Sequence, residues 1–560
     1  MLIGTKDLAL YGLLAAGLST GPAVQASAPT QPNLTPQACE ALVAKALTGA
    51  RILAVEPVAA GAFKVARAPS GSPLAQRMSS LPSFCRVQVL ATPTPDSRIG
   101  VEVWLPLQSW NGRLLGTGNG GGAGTIAYEM GMIEGLNRGF AVANTDMGTA
   151  PDINLTIDHP ERWTDFGYRA THEMTRIAKS LVTSFYNEHS FRAYFEGCST
   201  GGQQALSNAQ RYPDDYDGIL AGDPGNNRTH VASYFLWNYA ALNASPEAKL
   251  SPGQWSTVSR AVIASCAGKD GGAPGDQFLT DPRQCHFDPA KLPTCDAGSA
   301  TDQCLTSKQI DTVRRLYAGP VNPRTGERIY AGLAVGSEDQ PLGPAAQGDP
   351  AAWPKEQFYL FNWILGTGFE PLRFGFDRDL DRLDAQLSST LNANAADLST
   401  FARGGGKLLM YTGLADPAVP FAEVVHYYDR VVASTGKAKG EVEGEGEEDF
   451  ARLFLVPGMG HCVGGPGVTD IGQPFSSAVP PTVRNDALMT LVAWTEGGKA
   501  PSVLIARQPA EDGSPVKERP VCAYPALPEF RGGDPAKSDS FVCTDHPPGV
   551  DQVPASRYLN

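Results

Sequence analysis

A chain of 560 residues, 42% hydrophobic and 18% charged, can bury a large core, and its length allows roughly two to four folding units. The net charge of −13 argues against a nucleic-acid partner, which would want a basic face. Acidity of this size bears on solubility rather than on fold.

The first element in chain order reads as an export signal. Met1–Asp7 carries one lysine, Leu8–Leu18 is apolar, and Val24-Gln25-Ala26 and Ala26-Ser27-Ala28 offer small-residue cleavage sites, so residues 1–28 are expected to be a signal peptide. The apolar run is too short to span a bilayer and is followed by Ser19, Thr20, Gly21 and Pro22. The expectation is a secreted or periplasmic protein without membrane contact after cleavage. Ten cysteines fit an oxidising compartment, and their even number implies pairs. Sequence leaves the connectivity open; neighbours along the chain suggest Cys266–Cys285, Cys295–Cys304 and Cys522–Cys543, which leaves Cys39–Cys85 and Cys198–Cys462. Zinc is the competing reading, but Cys285-His286 stands isolated from any finger-type cluster.

From about Gly100 to Gly222 short apolar strands alternate with helical stretches. Arg113–Leu115 leads into the loop Gly118-Asn119-Gly120-Gly121-Gly122-Ala123-Gly124, and Gly139–Ala143 reads as a buried strand. Tyr168–Tyr186 has helical spacing through Met174, Ile177, Leu181 and Phe185. Ala193-Tyr194-Phe195 is a strand, Thr200–Tyr212 a helix ended by Pro213, and Ile219–Ala221 the next strand. Such alternation predicts a mostly parallel sheet covered on both faces. Between Asp223 and about Asp397 the rhythm gives way to proline, glycine, cysteine and aromatics. This stretch predicts a lid domain over 223–397, stitched by local disulfides and inserted into a catalytic domain made of 29–222 and 398–560. The sheet rhythm returns at Lys407–Tyr411, a helix at about Ala422–Ala433, a strand at Arg452–Val456 and a helix at Asp486–Glu496. Glu441–Asp449 reads as a solvated loop, and the tail after Pro501 as loop-rich.

Gly197-Cys198-Ser199-Thr200-Gly201 fits G-x-S-x-G, the sharp strand-to-helix turn that exposes a nucleophilic serine. Ser199 is the candidate nucleophile, and the Thr200 N–H can face an oxyanion at the helix start. A second donor is expected from Gly120 or Gly121. The loop lacks G-x-x-x-x-G-K-[ST], which argues against phosphate binding. An alcohol needs a nearby imidazole to take its proton, and His461 in Pro457-Gly458-Met459-Gly460-His461-Cys462 is the candidate base. A Cys198–Cys462 bond would hold its α-carbons within about 7 Å and so fasten serine and histidine together. Asp416, after the strand ending at Tyr411, would orient the imidazole, and the order Ser199, Asp416, His461 is that of α/β-hydrolases. The plainer readings are a turn serine, an incidental loop histidine and a turn aspartate before Pro417.

Together these segments resemble the tannase and feruloyl esterase family, which includes feruloyl esterases, tannases and the bacterial mono(2-hydroxyethyl) terephthalate hydrolase. The resemblance runs from about Cys39 to Cys543. It rests on Gly197-Cys198-Ser199-Thr200-Gly201-Gly202, on Gly404-Gly405-Gly406-Lys407 leading to Gly413-Leu414-Ala415-Asp416-Pro417, on Val456–Cys462, and on Ala493-Trp494 and Ala500-Pro501. It implies an α/β-hydrolase core, a lid, a serine triad bridged by the disulfide, and the cysteine pairing given above. It further implies a carboxylic ester hydrolase acting without a catalytic cofactor on a small aromatic ester, with gallate- or ferulate-like acyl groups. Esters such as mono(2-hydroxyethyl) terephthalate, peptide hydrolysis and a lid-based binding protein with a vestigial site are the alternatives; oligomeric state is left open. Tyr234, Phe235 and Trp237 are candidate acyl contacts. The family lid usually carries a structural calcium, whose ligands here would be Asp270 and Asp276 with backbone oxygens of Gly272 and Phe278; calcium takes roughly six to eight oxygens. Ala267 stands where the family has its first aspartate, the spacing carries an insertion, and Thr412 stands where relatives often place histidine.

Overall fold

Short apolar runs between turn residues build a nine-stranded sheet. The computed structural model describes residues 34–559 except 67, 70, 297–300, 352–357, 437–449, 477–483 and 509–515. The signal segment 1–28 and the run Glu441–Asp449 lie outside the described residues. The strands are β1 (Ala50–Val58), β2 (Phe84–Ala91), β3 (Ile99–Pro106), β4 (Arg113–Thr117), β5 (Ala141–Thr145), β6 (Arg192–Cys198), β7 (Gly218–Gly222), β8 (Lys407–Gly413) and β9 (Ala451–Val456). Their order across the sheet is β1-β2-β3-β5-β4-β6-β7-β8-β9. The β1–β2, β2–β3 and β3–β5 pairs are antiparallel; from β5 to β9 every neighbouring pair is parallel.

The parallel strands are buried along nearly their whole length, as a sheet covered on both faces requires. Alternate residues feed two cores. Leu114 and Phe195 face helix α1 (Ala170–Tyr186) through Met174, Ile177 and Leu181. Leu115 and Tyr194 face the other side, where Leu488, Leu491 and Trp494 close the layer. Helix α2 (Thr200–Arg211) follows β6 directly. Because β5 and β6 flank β4 on opposite sides, the chain diverges at the carboxyl ends of β4 and β6, the kind of crevice where open α/β sheets bind ligands.

Between β7 and β8 the chain leaves the sheet. This insert carries α3 (Arg228–Leu242), α4 (Pro252–Cys266), α5 (Ser307–Ala318), α6 (Tyr359–Leu365) and α7 (Arg378–Leu391). Its packing is divided: Tyr234, Phe361 and Leu380 join the larger sheet core, whereas Trp255, Val258, Val313 and Leu316 form a core of their own. Helix α8 (Phe421–Gly436) lies between β8 and β9, and α9 (Ala487–Gly497) follows β9 and packs on the sheet.

The tail corrects the expectation of a loop-rich end. Val503–Gln508 (β10) pairs antiparallel with Lys517–Cys522 (β11), and Ala526–Phe530 (β12) with Phe541–Asp545 (β13). Alternation in Val503-Leu504-Ile505-Ala506 buries Leu504 and Ala506, a period-two signal of a half-buried strand. Five disulfides are formed: Cys39–Cys85, Cys198–Cys462, Cys266–Cys285, Cys295–Cys304 and Cys522–Cys543. Cys285 is thereby committed to sulfur and carries no zinc. Among the described residues no helix is long and apolar enough to cross a membrane.

Candidate active site

β6 runs straight into α2, and the residue at the corner is Ser199. Its φ of 64° and ψ of −118° lie where non-glycine residues rarely go, at a cost on the order of 1–3 kcal/mol. Surrounding hydrogen bonds hold it there. The Ser199 N–H donates to the Gly222 carbonyl at 3.0 Å, and its own carbonyl accepts from Gln203 at 3.0 Å and Gly225 at 3.1 Å. The corner is packed tightly enough to require glycine: a Cβ on Gly197 would lie 2.5 Å from the Gly201 carbonyl oxygen, and one on Gly118 would lie 2.5 Å from the Gly201 Cα. The glycine loop after β4 therefore sits directly against the elbow. Amides pin it from behind: Asn119 N–H donates to Gln204 Oε1 at 2.8 Å, and Asn144 Nδ2 donates to the carbonyls of Thr117 and Gly118.

Asp416 lies in the turn after β8 and is fully buried. One of its oxygens accepts the N–H groups of Ala418 at 2.7 Å and Val419 at 3.0 Å; the other accepts from His461 Nδ1 at 2.7 Å. That bond directs the free Nε2 of His461 away from the acid. Ser199, Thr200, Gly120, Gly121 and His461 line a single cavity of about 340 Å³. The Cys198–Cys462 bond, with a Cα–Cα distance of 5.9 Å, fastens the residue before the serine to the residue after the histidine. Burial alone would lower the pKa of His461, but the charge and hydrogen bond of Asp416, with the charge of Asp223, raise it above the ordinary histidine value.

Two functional neighbours went unread in the sequence. Asp223, the first residue after β7, is fully buried behind the histidine and accepts from Thr412 Oγ1 at 2.9 Å, Gly413 N–H at 2.8 Å and Cys462 N–H at 2.8 Å. Burial, and then the neighbouring Asp416, push its pKa well up. Thr412, whose hydroxyl Asp223 binds, was the available signal. The second neighbour is Arg228, whose guanidinium lines the cavity and donates to Thr200 Oγ1 and the Gly121 carbonyl, each at 3.0 Å. Its place at the start of α3, in a stretch expected to form a lid, hid it.

Of the three aromatics expected at the acyl site, only Phe235 lines the cavity. Tyr234 is buried with its hydroxyl on the Pro417 carbonyl at 2.8 Å, and Trp237 donates to the Arg315 carbonyl under that arginine's guanidinium. Of α3, Arg228, Val231 and Phe235 line the cavity, at spacings of three and four, so consecutive aromatics cannot share the wall.

The expected calcium ligands do not fit a cation. Asp270 accepts N–H groups from Gly272 at 3.3 Å, Thr280 at 2.6 Å and Asp281 at 3.2 Å. Asp276 accepts from Ala273 N–H at 2.9 Å and is bound by the Arg519 guanidinium at 3.0 and 3.3 Å. Both carboxylates are thus turned to N–H donors, and a positive side chain already neutralises one of them. Gly272 and Phe278 lie in the same disulfide-closed loop, in which the buried Asp281 is already bound by Arg283.

A mixed sheet with a strained serine elbow, a histidine bonded to a buried aspartate and a glycine loop at the switch point together define an α/β-hydrolase. The residues 85–544 match the family described as Tannase and feruloyl esterase. The chain is 36% identical over 553 residues to an uncharacterized esterase of Xanthomonas campestris pv. campestris, covering 92% of this chain and 93% of the relative. It is 31% identical over 457 residues to a probable feruloyl esterase B-1 of Aspergillus terreus, covering 80% and 84%. The crystal structure of feruloyl esterase B from Aspergillus oryzae superposes with a TM-score of 0.81 at 28% identity, covering 91% of this chain and 100% of that one. The chain belongs to the tannase and feruloyl esterase family, and it is a carboxylic ester hydrolase.

Proposed function

We propose that the chain hydrolyses phenolic acid esters of the feruloyl or galloyl kind, with Ser199 as nucleophile, His461 as general base and then acid, and Asp416 as its orienting carboxylate. The observation that carries this reading is the 2.7 Å bond from His461 to a buried Asp416, made by an imidazole that opens on the same cavity as Ser199. His461 Nε2 takes the hydroxyl proton as Ser199 Oγ attacks the ester carbonyl, and Asp416 favours the imidazolium that results. The N–H of Thr200, with that of Gly120 or Gly121, receives the oxyanion. Collapse of the tetrahedral intermediate breaks the bond to the alcohol, which leaves with the proton from His461. Water, deprotonated by the same imidazole, then attacks the acyl-enzyme and frees the acid.

The insert from 223 to 397 acts as the lid, since Phe235 and Leu342 supply apolar wall to a cavity whose chemistry comes from the sheet. Names of relatives that are feruloyl esterases support the aromatic acyl group. Five disulfides and the amino-terminal segment support export to a secreted or periplasmic location. A fluorophosphonate should label the wild type and not Ser199→Ala. The same variant should lose turnover of methyl ferulate and methyl gallate by at least about 10⁴-fold while folding normally. Turnover retained in Ser199→Ala would remove the assigned nucleophile; an unlabelled wild type that binds ferulate would make the site a vestigial binding module.

A further inference from the structure

Arg228 is a buried cation, 7% exposed, at the wall of the active-site cavity. Arg138 on Asp486 and Arg86 on Glu102, by contrast, each meet a carboxylate. Among the described residues no carboxylate lies within salt-bridge distance of Arg228; its acceptors are neutral. Nε donates to the hydroxyl of Tyr359 at 2.9 Å, Nη1 to Thr200 Oγ1 at 3.0 Å and Nη2 to the Gly121 carbonyl at 3.0 Å. Thr200 Oγ1 in turn donates to that carbonyl at 2.9 Å, closing a triangle. The guanidinium lies 5.6 Å from the ring centre of Phe166 and 5.7 Å from that of Tyr359.

The three corners of this arrangement belong to different parts of the chain. Thr200 opens α2, Gly121 sits in the loop after β4, and Tyr359 opens α6 in the insert. Thr200 and the glycine loop are also the two segments that supply N–H groups to the oxyanion. A charge buried without a counter-ion is costly in the resting enzyme. It becomes favourable when negative charge develops nearby, and a fixed donor then needs no reorganisation.

From this we infer that Arg228 is the positioning residue of the oxyanion hole: it holds the Thr200 and Gly121 segments at one spacing, anchors both to the insert through Tyr359, and sets a positive field where the tetrahedral oxygen forms. The inference rests on the proposed role of Ser199. It makes the hole a product of the insert as much as of the sheet. It also predicts an effect common to all esters, since the oxyanion is the same whatever the acyl group.

The test compares Arg228→Leu, Arg228→Lys, Arg228→Ala and Tyr359→Phe on methyl ferulate, methyl gallate and a plain aliphatic p-nitrophenyl ester. Arg228→Leu should lower kcat by about 10- to 100-fold on all three with KM within about twofold, less than the loss of a direct oxyanion donor. Phenylboronic acid, which forms a tetrahedral anionic adduct with an active-site serine, should bind more weakly by the same factor. Arg228→Lys should recover part of the loss, added ethylguanidinium should partly rescue Arg228→Ala, and Tyr359→Phe should cost a few-fold in kcat. If Arg228→Leu does not fold, the lysine and phenylalanine variants carry the comparison. Unchanged kcat and boronate affinity would overturn the inference. So would a loss confined to KM of the hydroxylated esters, which would make Arg228 a contact of the acyl group. Turnover retained in Ser199→Ala would instead strike the nucleophile assignment itself, so the two failures are distinct.

Discussion

The carboxyl rim of the parallel sheet and the insert between β7 and β8 contribute to the same cavity in different ways. On the rim, position comes from backbone. Ser199 is held by Gly222 and Gly225, Asp416 by Ala418 and Val419, and the histidine loop by a covalent bond and by Asp223. In the insert, position comes from side chains reaching across space: Tyr359 to Arg228, Tyr234 to Pro417, Phe235 into the cavity. Under the proposed mechanism the rim would fix which bond is made and broken, while the insert would adjust how well charge and acyl group are received.

The largest effect that would sharpen this contrast belongs to the rim. Asp416→Asn should lower kcat by about ten-thousand-fold with little change in KM, because the imidazole loses its orienting acceptor and the charge that favours its cation. In wild type the acid limb of kcat/KM should lie above the ordinary histidine pKa, since Asp416 and Asp223 outweigh burial at His461. Activity then falls as the pH drops through that raised value, and the Asn variant should carry the limb to lower pH.

Next in size is the covalent seam. Cys198→Ala combined with Cys462→Ala should cost about 10- to 100-fold in kcat and much less in product affinity, as loss of reacting geometry does. Wild-type turnover in the double variant would reduce the bond to a stability device and weaken the contrast. A smaller effect is expected from Asp223→Asn, about three- to tenfold in kcat. Its pH profile is the sharper readout: removing a group whose charge raises His461 should move the acid limb down, in the same direction as Asp416→Asn but by less. An upward shift would show that Asp223 does not act on the histidine through its charge.

The smallest effect concerns the insert loop. Chelation with EDTA should leave the thermal midpoint and turnover unchanged. Arg519→Ala should destabilise by about 1–3 kcal/mol, because Asp276 loses its partner, with kcat unaltered. A fall in midpoint on chelation, restored by calcium, would mean that the loop holds a cation after all.

The legible parts of the sequence were those whose physics is local. The elbow needs glycines at fixed offsets, so Gly197 and Gly201 announced Ser199. Period and turn residues gave β4 to β9 their places. The tail hid its two hairpins because its alternation is short, as in Val503–Ala506, and is broken by turn residues that read equally well as loop. Asp223 and Arg228 follow no spacing rule. Each acts through partners more than 25 positions away, Thr412 and Cys462 for the one, Gly121 and Tyr359 for the other. The donors that surround the expected calcium ligands were hidden for a similar reason: Arg519, which binds Asp276, comes from β11, far from it in sequence.

The Cys198–Cys462 bond spans 264 positions and joins the two halves of the acid–base couple. Thiols unite only in an oxidising medium, so a newly made chain in a reducing cytosol would hold its chemistry unlatched. Under the proposed reading of an exported serine esterase, oxidation would serve as a commissioning step: the catalyst would be completed where its substrates are met, and the cell that makes it would be spared an armed hydrolase inside.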